Sequence, residues 1–305
     1  MTDYIQVIDA HSHLWLEQDT IVGGKPIKSL KNGRSIFLGE EVQMMPPFII
    51  DSRNTAEIFL SNMNYARVSA AVVVQEFIDG LQNDYLATVS RTYPDRFKVC
   101  AMCDFRRPGF LPEAEKLMDS GDFAGVAIPG HRLDSPLDSP EMMEMYALME
   151  KKGLYLSLCL HEDNHQLGEV ENIIKAFPAL RIAIGHFGMV TCPGWLEQIR
   201  LARHDNVMVE SGGITWLFNS EFYPFDGAVK AIRQAADLVG MDKLMWGSDY
   251  PRTITAITYK MSYDFVTKSK LLSDSEKELF LSGNTKKFYG FENLIELPYI
   301  KNMSE

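Results

Sequence analysis

The chain has 305 residues, 46% hydrophobic and 23% charged, enough for one large domain or two small ones. Its formal charge of −11 sets the surface against phosphate backbones and anionic lipid, so nucleic-acid and membrane-surface roles are disfavoured. The opening "MTDYIQVIDA" has no leader pattern, no apolar run approaches a membrane span, and four cysteines are too few for a disulfide framework, so the sequence reads as cytoplasmic.

Eight short runs rich in Val, Ile and Leu follow one another, at 4–9, 68–75, 96–102, 123–128, 154–160, 180–185, 206–210 and 243–247. They are nearly continuous in apolar character, as parallel strands covered on both faces are. Helical patterns separate them. Asn54 and Thr55 are cap candidates before Phe59, Met63 and Ala66; Ser139 and Pro140 open the next clear helix and Gly153 stops it. Ser273 and Glu276 have capping-box spacing near the end of the chain. Cys100 and Cys103 form a C-x-x-C, but positions three apart on a strand face opposite ways, which suits buried thiols better than a zinc or redox pair. Eight alternating strand–helix units over 1–305 predict a single (β/α)8 barrel domain, with an open doubly wound sheet as the alternative. No Gly-rich phosphate fingerprint follows the first strand, which counts against the alternative.

One connection is abnormal. Residues 14–53 separate the first strand from the first helix, where ~4–6 residues are usual. The segment leaves from the C-terminal end of that strand, the face where barrel enzymes build their sites, and is expected to be an inserted loop acting as a lid.

The strand ends carry the polar residues. His11 and His13 leave the first strand on one face; Glu76 follows the second, His131 the fourth, His161 the fifth, His186 the sixth, Glu210 the seventh and Asp249 the eighth. Five of the seven histidines thus lie at or just past strand ends; His165 falls in the loop after the fifth strand, and His204 reads as a surface residue. A nitrogen-rich set with one carboxylate suits Zn²⁺ and related divalent ions. Glu76 and Glu210 read equally as substrate contacts or as partners of an arginine.

The order "DAHSH", "CLH", "GHFG" and "WGSDYP" resembles the amidohydrolase superfamily, in the amidohydrolase-related branch that holds aminocarboxymuconate-semialdehyde decarboxylase, resorcylate-type decarboxylases and sugar- or pyrone-lactone hydrolases. The resemblance implies a distorted (β/α)8 TIM barrel with one divalent metal, zinc or manganese. The metal ligands would be His11, His13, His161 and Asp249, with His186 catalytic or an additional ligand. "GVAIPGH" lacks the lysine of binuclear members, which favours one metal.

Such a site suits hydrolysis of a small cyclic ester, Asp249 taking the proton of a metal-activated water and His186 facing the carbonyl oxygen. Arg252 and Arg53 are candidates to hold a substrate carboxylate, Trp216 and Phe218 to wall a ring, and His131 to line the site. The alternative is non-oxidative decarboxylation of a small aromatic acid on the same metal site; a third reading is a catalytically silent metal-binding barrel. The partners expected are a small, anionic substrate and, within what the sequence allows, a second copy of the chain.

Overall fold

The computed structural model describes residues 5–303. Eight parallel strands form one sheet in the order β1 (Val7–Ser12), β6 (Val68–Val73), β7 (Phe97–Ala101), β8 (Gly125–Pro129), β9 (Tyr155–Cys159), β10 (Arg181–Ile184), β11 (Val207–Glu210) and β12 (Leu244–Met245). All eight expected strands form, within a few residues of their expected ends; Tyr4, where the first was expected to begin, lies outside the described residues. Backbone bonds from Ala10 N to Trp246 O and from His13 N to Tyr250 O draw the last strand segment against the first, and the sheet becomes a (β/α)8 barrel.

Strand composition explains the layering. β1 and β6 are buried along their whole length, because one face looks into the barrel and the other meets helices. Ile8, Ala10, Ala70, Val72, Ala127, Tyr155, Ala183 and Met245 fill the interior, and Phe288, Tyr289 and Phe291 join them from the last helix and the residue after its stop. The opposite strand faces pack with the helices in a second, larger cluster. Cys100 belongs to the interior and Cys103 to the outer layer, both as free, buried thiols pushed up to about 12 by burial.

Helix ends follow their sequence signals. Thr55 caps the helix Ala56–Ala66 through Ile58 N, while Asn54 instead donates to His13 O at 2.6 Å and ties the helix entry to the first strand. Ser139 and Pro140 begin the helix Pro140–Lys152 and Gly153 ends it at φ 68°. The Ser273–Glu276 capping box is closed in both directions.

Residues 14–53 differ from the expected loop. They contain a four-stranded antiparallel meander of β2 (Asp19–Val22), β3 (Lys25–Ser29), β4 (Arg34–Phe37) and β5 (Glu40–Gln43). Its two-residue turns, Gly23–Gly24 and Leu38–Gly39, have positive φ at both positions, which matches the twist of hairpin strands. The meander is pinned beside the barrel: Trp15 and Asn54 pair as an isolated bridge, Trp15 Nε1 donates to Ser52 O, and Gln18 Nε2 donates to Ile78 O. Trp15, Met44, Met45 and Ile49 make a separate apolar cluster beneath it.

Candidate metal centre and active site

The strand period delivers His11 and His13 as neighbours, their Nε2 atoms 3.1 Å apart. Each ring is fixed from behind by a carboxylate: His11 Nδ1 bonds Glu210 Oε1 at 2.7 Å and His13 Nδ1 bonds Asp79 Oδ2 at 2.7 Å. With Nδ1 carrying the hydrogen, both Nε2 atoms turn inward, the arrangement that orients metal-binding histidines. Asp249 faces them across the closure seam, Oδ1 3.2 Å from His13 Nε2 and 3.8 Å from His11 Nε2. Its backbone is left-handed (φ 56°), and its N–H donates to His11 O, so the loop after β12 is folded directly onto the end of β1.

Glu210 organises this floor. Oε1 also accepts from His186 N at 3.2 Å, and Oε2 accepts from Gly212 N. A Cβ on Gly212 would come within 2.8 Å of both Glu210 Oε2 and His11 Cγ, and one on Gly247 within 2.7 Å of Oε2 and 2.8 Å of His11 Cβ. Only glycine admits the buried His11–Glu210 hydrogen bond at these two positions. Below it, Asp9 accepts from His11 N, Ser248 N, Ser248 Oγ and Tyr259 Oη and locks both halves of the seam together.

His186 stands against His11 with ring centroids 4.7 Å apart. Its Nδ1 pairs with Gly212 O at 3.0 Å, so the neutral ring carries its hydrogen there and presents Nε2 as an acceptor. The expectation that it hydrogen-bonds a carbonyl oxygen therefore holds only for the protonated ring, which burial and His11 disfavour. Burial opposes ionisation of Asp249, but the His13 hydrogen bond and the Arg252, His186 and His13 charges hold its carboxyl well below the usual range. Burial also opposes protonation of His13, and Asp79 and Asp249 together carry it up to about 10.

The residues present fit a divalent ion. Bonds of about 2.0–2.1 Å at ordinary coordination angles put neighbouring donor atoms roughly 3–3.4 Å apart. Two of the three donor separations fall in that range, and the third is wider by a few tenths of an ångström. His11, His13 and Asp249 are one of two such three-residue groups among the described residues.

The fifth-strand ligand is not brought to this centre. β9 ends at Cys159, which lines the cavity, and His161 lies two residues beyond, in the loop. Gln166 Oε1 accepts from its N–H, Gln198 Nε2 donates to its carbonyl, and its side chain is 40% exposed beside Asp163 and His165. These three form the second group.

A cavity opens over the centre. Its walls include Trp15 and Met44 from the insertion, Glu76 and His131 from strand ends, and Arg252 after Asp249. Arg53 is not among them. It lies exposed beside a shallow surface depression with Glu17, Lys31 and Asp51. The second cavity guanidinium belongs to Arg132, which the sequence reading missed although it directly follows His131. Trp216 is not among the lining residues either; its Nε1 donates to Asp249 Oδ2 at 2.7 Å, and Arg252 lies 5.3 Å over its ring. Phe218 packs against the outer hydrophobic layer.

The family model for amidohydrolases matches residues 8–291. The chain belongs to the amidohydrolase family. It is similar to a probable 2-pyrone-4,6-dicarboxylic acid hydrolase from Acinetobacter baumannii solved with citric acid bound, at 20% identity and TM-score 0.70, covering 94% of this chain and 100% of that one. An amidohydrolase from Burkholderia multivorans with bound zinc matches at 18% identity and TM-score 0.68, over 93% of this chain and 99% of that one. A 5-carboxyvanillate decarboxylase from Sphingomonas paucimobilis matches at 16% identity and TM-score 0.63, over 94% and 99%. At these identities the likeness is one of fold. Among the described residues no helix is long and apolar enough to cross a membrane.

Proposed function

We propose that this chain is a metal-dependent hydrolase of a small, anionic lactone, with His11, His13 and Asp249 holding one divalent ion, zinc before manganese. A divalent ion there would lower the pKa of a water from 15.7 to roughly 7 and polarise the ester carbonyl. Asp249 would accept the proton of that water, while Trp216 Nε1 donates to Oδ2 and fixes the carboxylate plane. His186 offers Nε2 as an additional ligand or a relay for the same proton. Arg252 receives the substrate's anionic group, with His131 and Arg132 also on the cavity wall. The insertion lines the cavity through Trp15 and Met44 and acts as its lid, limiting exchange with bulk water.

The observation that carries hydrolysis is that Asp249 and His186, the acid/base groups at this centre, are proton acceptors. Asp249 is hydrogen-bonded as a carboxylate, and His186 shows its unprotonated nitrogen. Decarboxylation, the second reading, needs a proton delivered to carbon, and the buried Glu76, whose pKa burial raises, is the group that favours it. Assays of the zinc- and manganese-loaded enzyme on matched lactones and aromatic carboxylates test the choice. Ring opening releases a proton and decarboxylation releases carbon dioxide. Proton release without carbon dioxide is the expected result; carbon dioxide as the product would overturn it.

A further inference from the structure

One cavity wall is built differently from the metal centre. Glu76 is 7% exposed; its Oε1 accepts from Arg132 Nε at 2.6 Å and from Phe77 N at 2.9 Å. Its Oε2 is closed to solvent and has no hydrogen-bond partner among the described residues; the same holds for His131 Nδ1 on this wall. Burial and the neighbouring Arg132 push His131 down to about 3, so its ring is neutral. Two buried polar atoms, one of them a carboxylate acceptor, therefore stand without partners beside a guanidinium that is already paired. Buried polar atoms left unpaired are costly, and at a cavity wall a ligand is the natural source of the missing partners.

Charge points the same way. Of the two cavity guanidiniums, Arg132 is neutralised by Glu76, and only Arg252 remains for a substrate carboxylate. Asp79, Glu210 and Asp249 already crowd the floor with negative charge. A second carboxylate on the substrate would have to lie against Glu76.

We propose that the Glu76–Arg132 pair is the specificity element of this cavity, selecting a lactone that carries hydroxyl donors and at most one carboxylate over a doubly carboxylated ring. This rests on the lactone-hydrolase reading and narrows it. The substrate's hydroxyls donate to Glu76 Oε2 and pair with His131 Nδ1. Arg132, the more exposed member of the pair, yields to let them in.

The test is calorimetric binding together with turnover on the metal-loaded enzyme. The probes are a hexono-1,4-lactone, unsubstituted γ-butyrolactone and 2-pyrone-4,6-dicarboxylate. The parent enzyme should bind the hydroxylated lactone at least about tenfold more tightly than the other two, as a site built to pair hydroxyls does. Glu76→Gln should lose roughly tenfold or more on the hydroxylated lactone, leave γ-butyrolactone within about threefold, and gain on the dicarboxylate. Glu76→Asp, which keeps the charge, should not gain on the dicarboxylate. Parent enzyme that binds the dicarboxylate as tightly as the hydroxylated lactone would overturn the proposal, even if the variants fail to fold. So would a Glu76→Gln variant with an unchanged ratio between the two. Glu76-dependent binding of the hydroxylated lactone without ring opening would support the selector and remove the hydrolase reading. Ring opening confined to the dicarboxylate would do the reverse.

Discussion

His11, His13 and Asp249 have side chains 1%, 12% and 6% exposed, whereas those of His161, Asp163 and His165 are 40%, 57% and 53% exposed. Both groups hold two imidazoles and one carboxylate within reach of a single ion. In the buried group each imidazole has its own carboxylate behind it, Glu210 or Asp79, so both Nε2 atoms are left to face Asp249. In the exposed group His165 Nδ1 bonds Asp163 Oδ1, while His161 Nδ1 accepts from Asp163 N 3.1 Å from the same oxygen, so neither ring has a carboxylate of its own behind it. Composition makes a candidate site; separate carboxylates behind each ring, in a dry setting, are what orient the donors.

The largest expected effect is at Asp249. With His161 outside the centre, Asp249→Asn leaves only the His11–His13 pair, so the variant should lose both metal and activity. Turnover should fall by a factor on the order of 10²–10⁴. Steady-state kinetics with metal counting on the same sample checks this. Near-parent turnover would move the proton acceptor to His186.

Next come the carboxylates behind the rings. Glu210→Gln and Asp79→Asn should each cost roughly 10–100-fold in metal affinity or activity, measured by zinc titration against a chelator. A variant of either that held metal as tightly as the parent would erase the contrast between the two groups. Trp216→Phe keeps an aromatic ring under Arg252 and removes one hydrogen bond to the Asp249 carboxylate, so kcat should drop by about tenfold with little change in metal content.

The smallest effects belong to the exposed group. The hydrogen bonds from His165 lower the pKa of Asp163 in the folded chain, so any stability it adds is present above its unfolded pKa and is lost as pH falls through the folded one. Because the carboxylate is exposed and screened by solvent, Asp163→Ala should leave the melting temperature within about 1 °C of the parent's at pH 7 and at pH 3. A larger pH-dependent loss would mean that the exposed cluster is structural.

Much of this was legible in the sequence because barrel strands announce themselves as apolar runs and their ends as polar residues. That logic located His11, His13, His186 and Asp249 together. It failed at His161 for a local reason: β9 stops at Cys159, Asn164 turns the loop at φ 64°, and Gln166 and Gln198 hold the His161 backbone away from the strand line. Glu210 was legible only as a choice between substrate and arginine, since its partner is a histidine far away in sequence. Asp79 carried no signal beyond lying three residues after Glu76. Arg53 looked functional because it ends the insertion, yet the chain is exposed there. The meander was hidden because its strands are four or five residues long and largely polar; the Gly23–Gly24 pair between Ile21–Val22 and Ile27 was its one readable sign.

Metal counting on three dialysed proteins tests the central claim most directly. The parent should retain close to one equivalent of zinc or manganese, the His11→Ala/His13→Ala variant close to none, and the His161→Ala/His165→Ala variant the same as the parent, with its activity intact. Loss of the metal from the His161→Ala/His165→Ala protein, with retention in the His11→Ala/His13→Ala protein, would place the metal in the exposed loop and contradict the account.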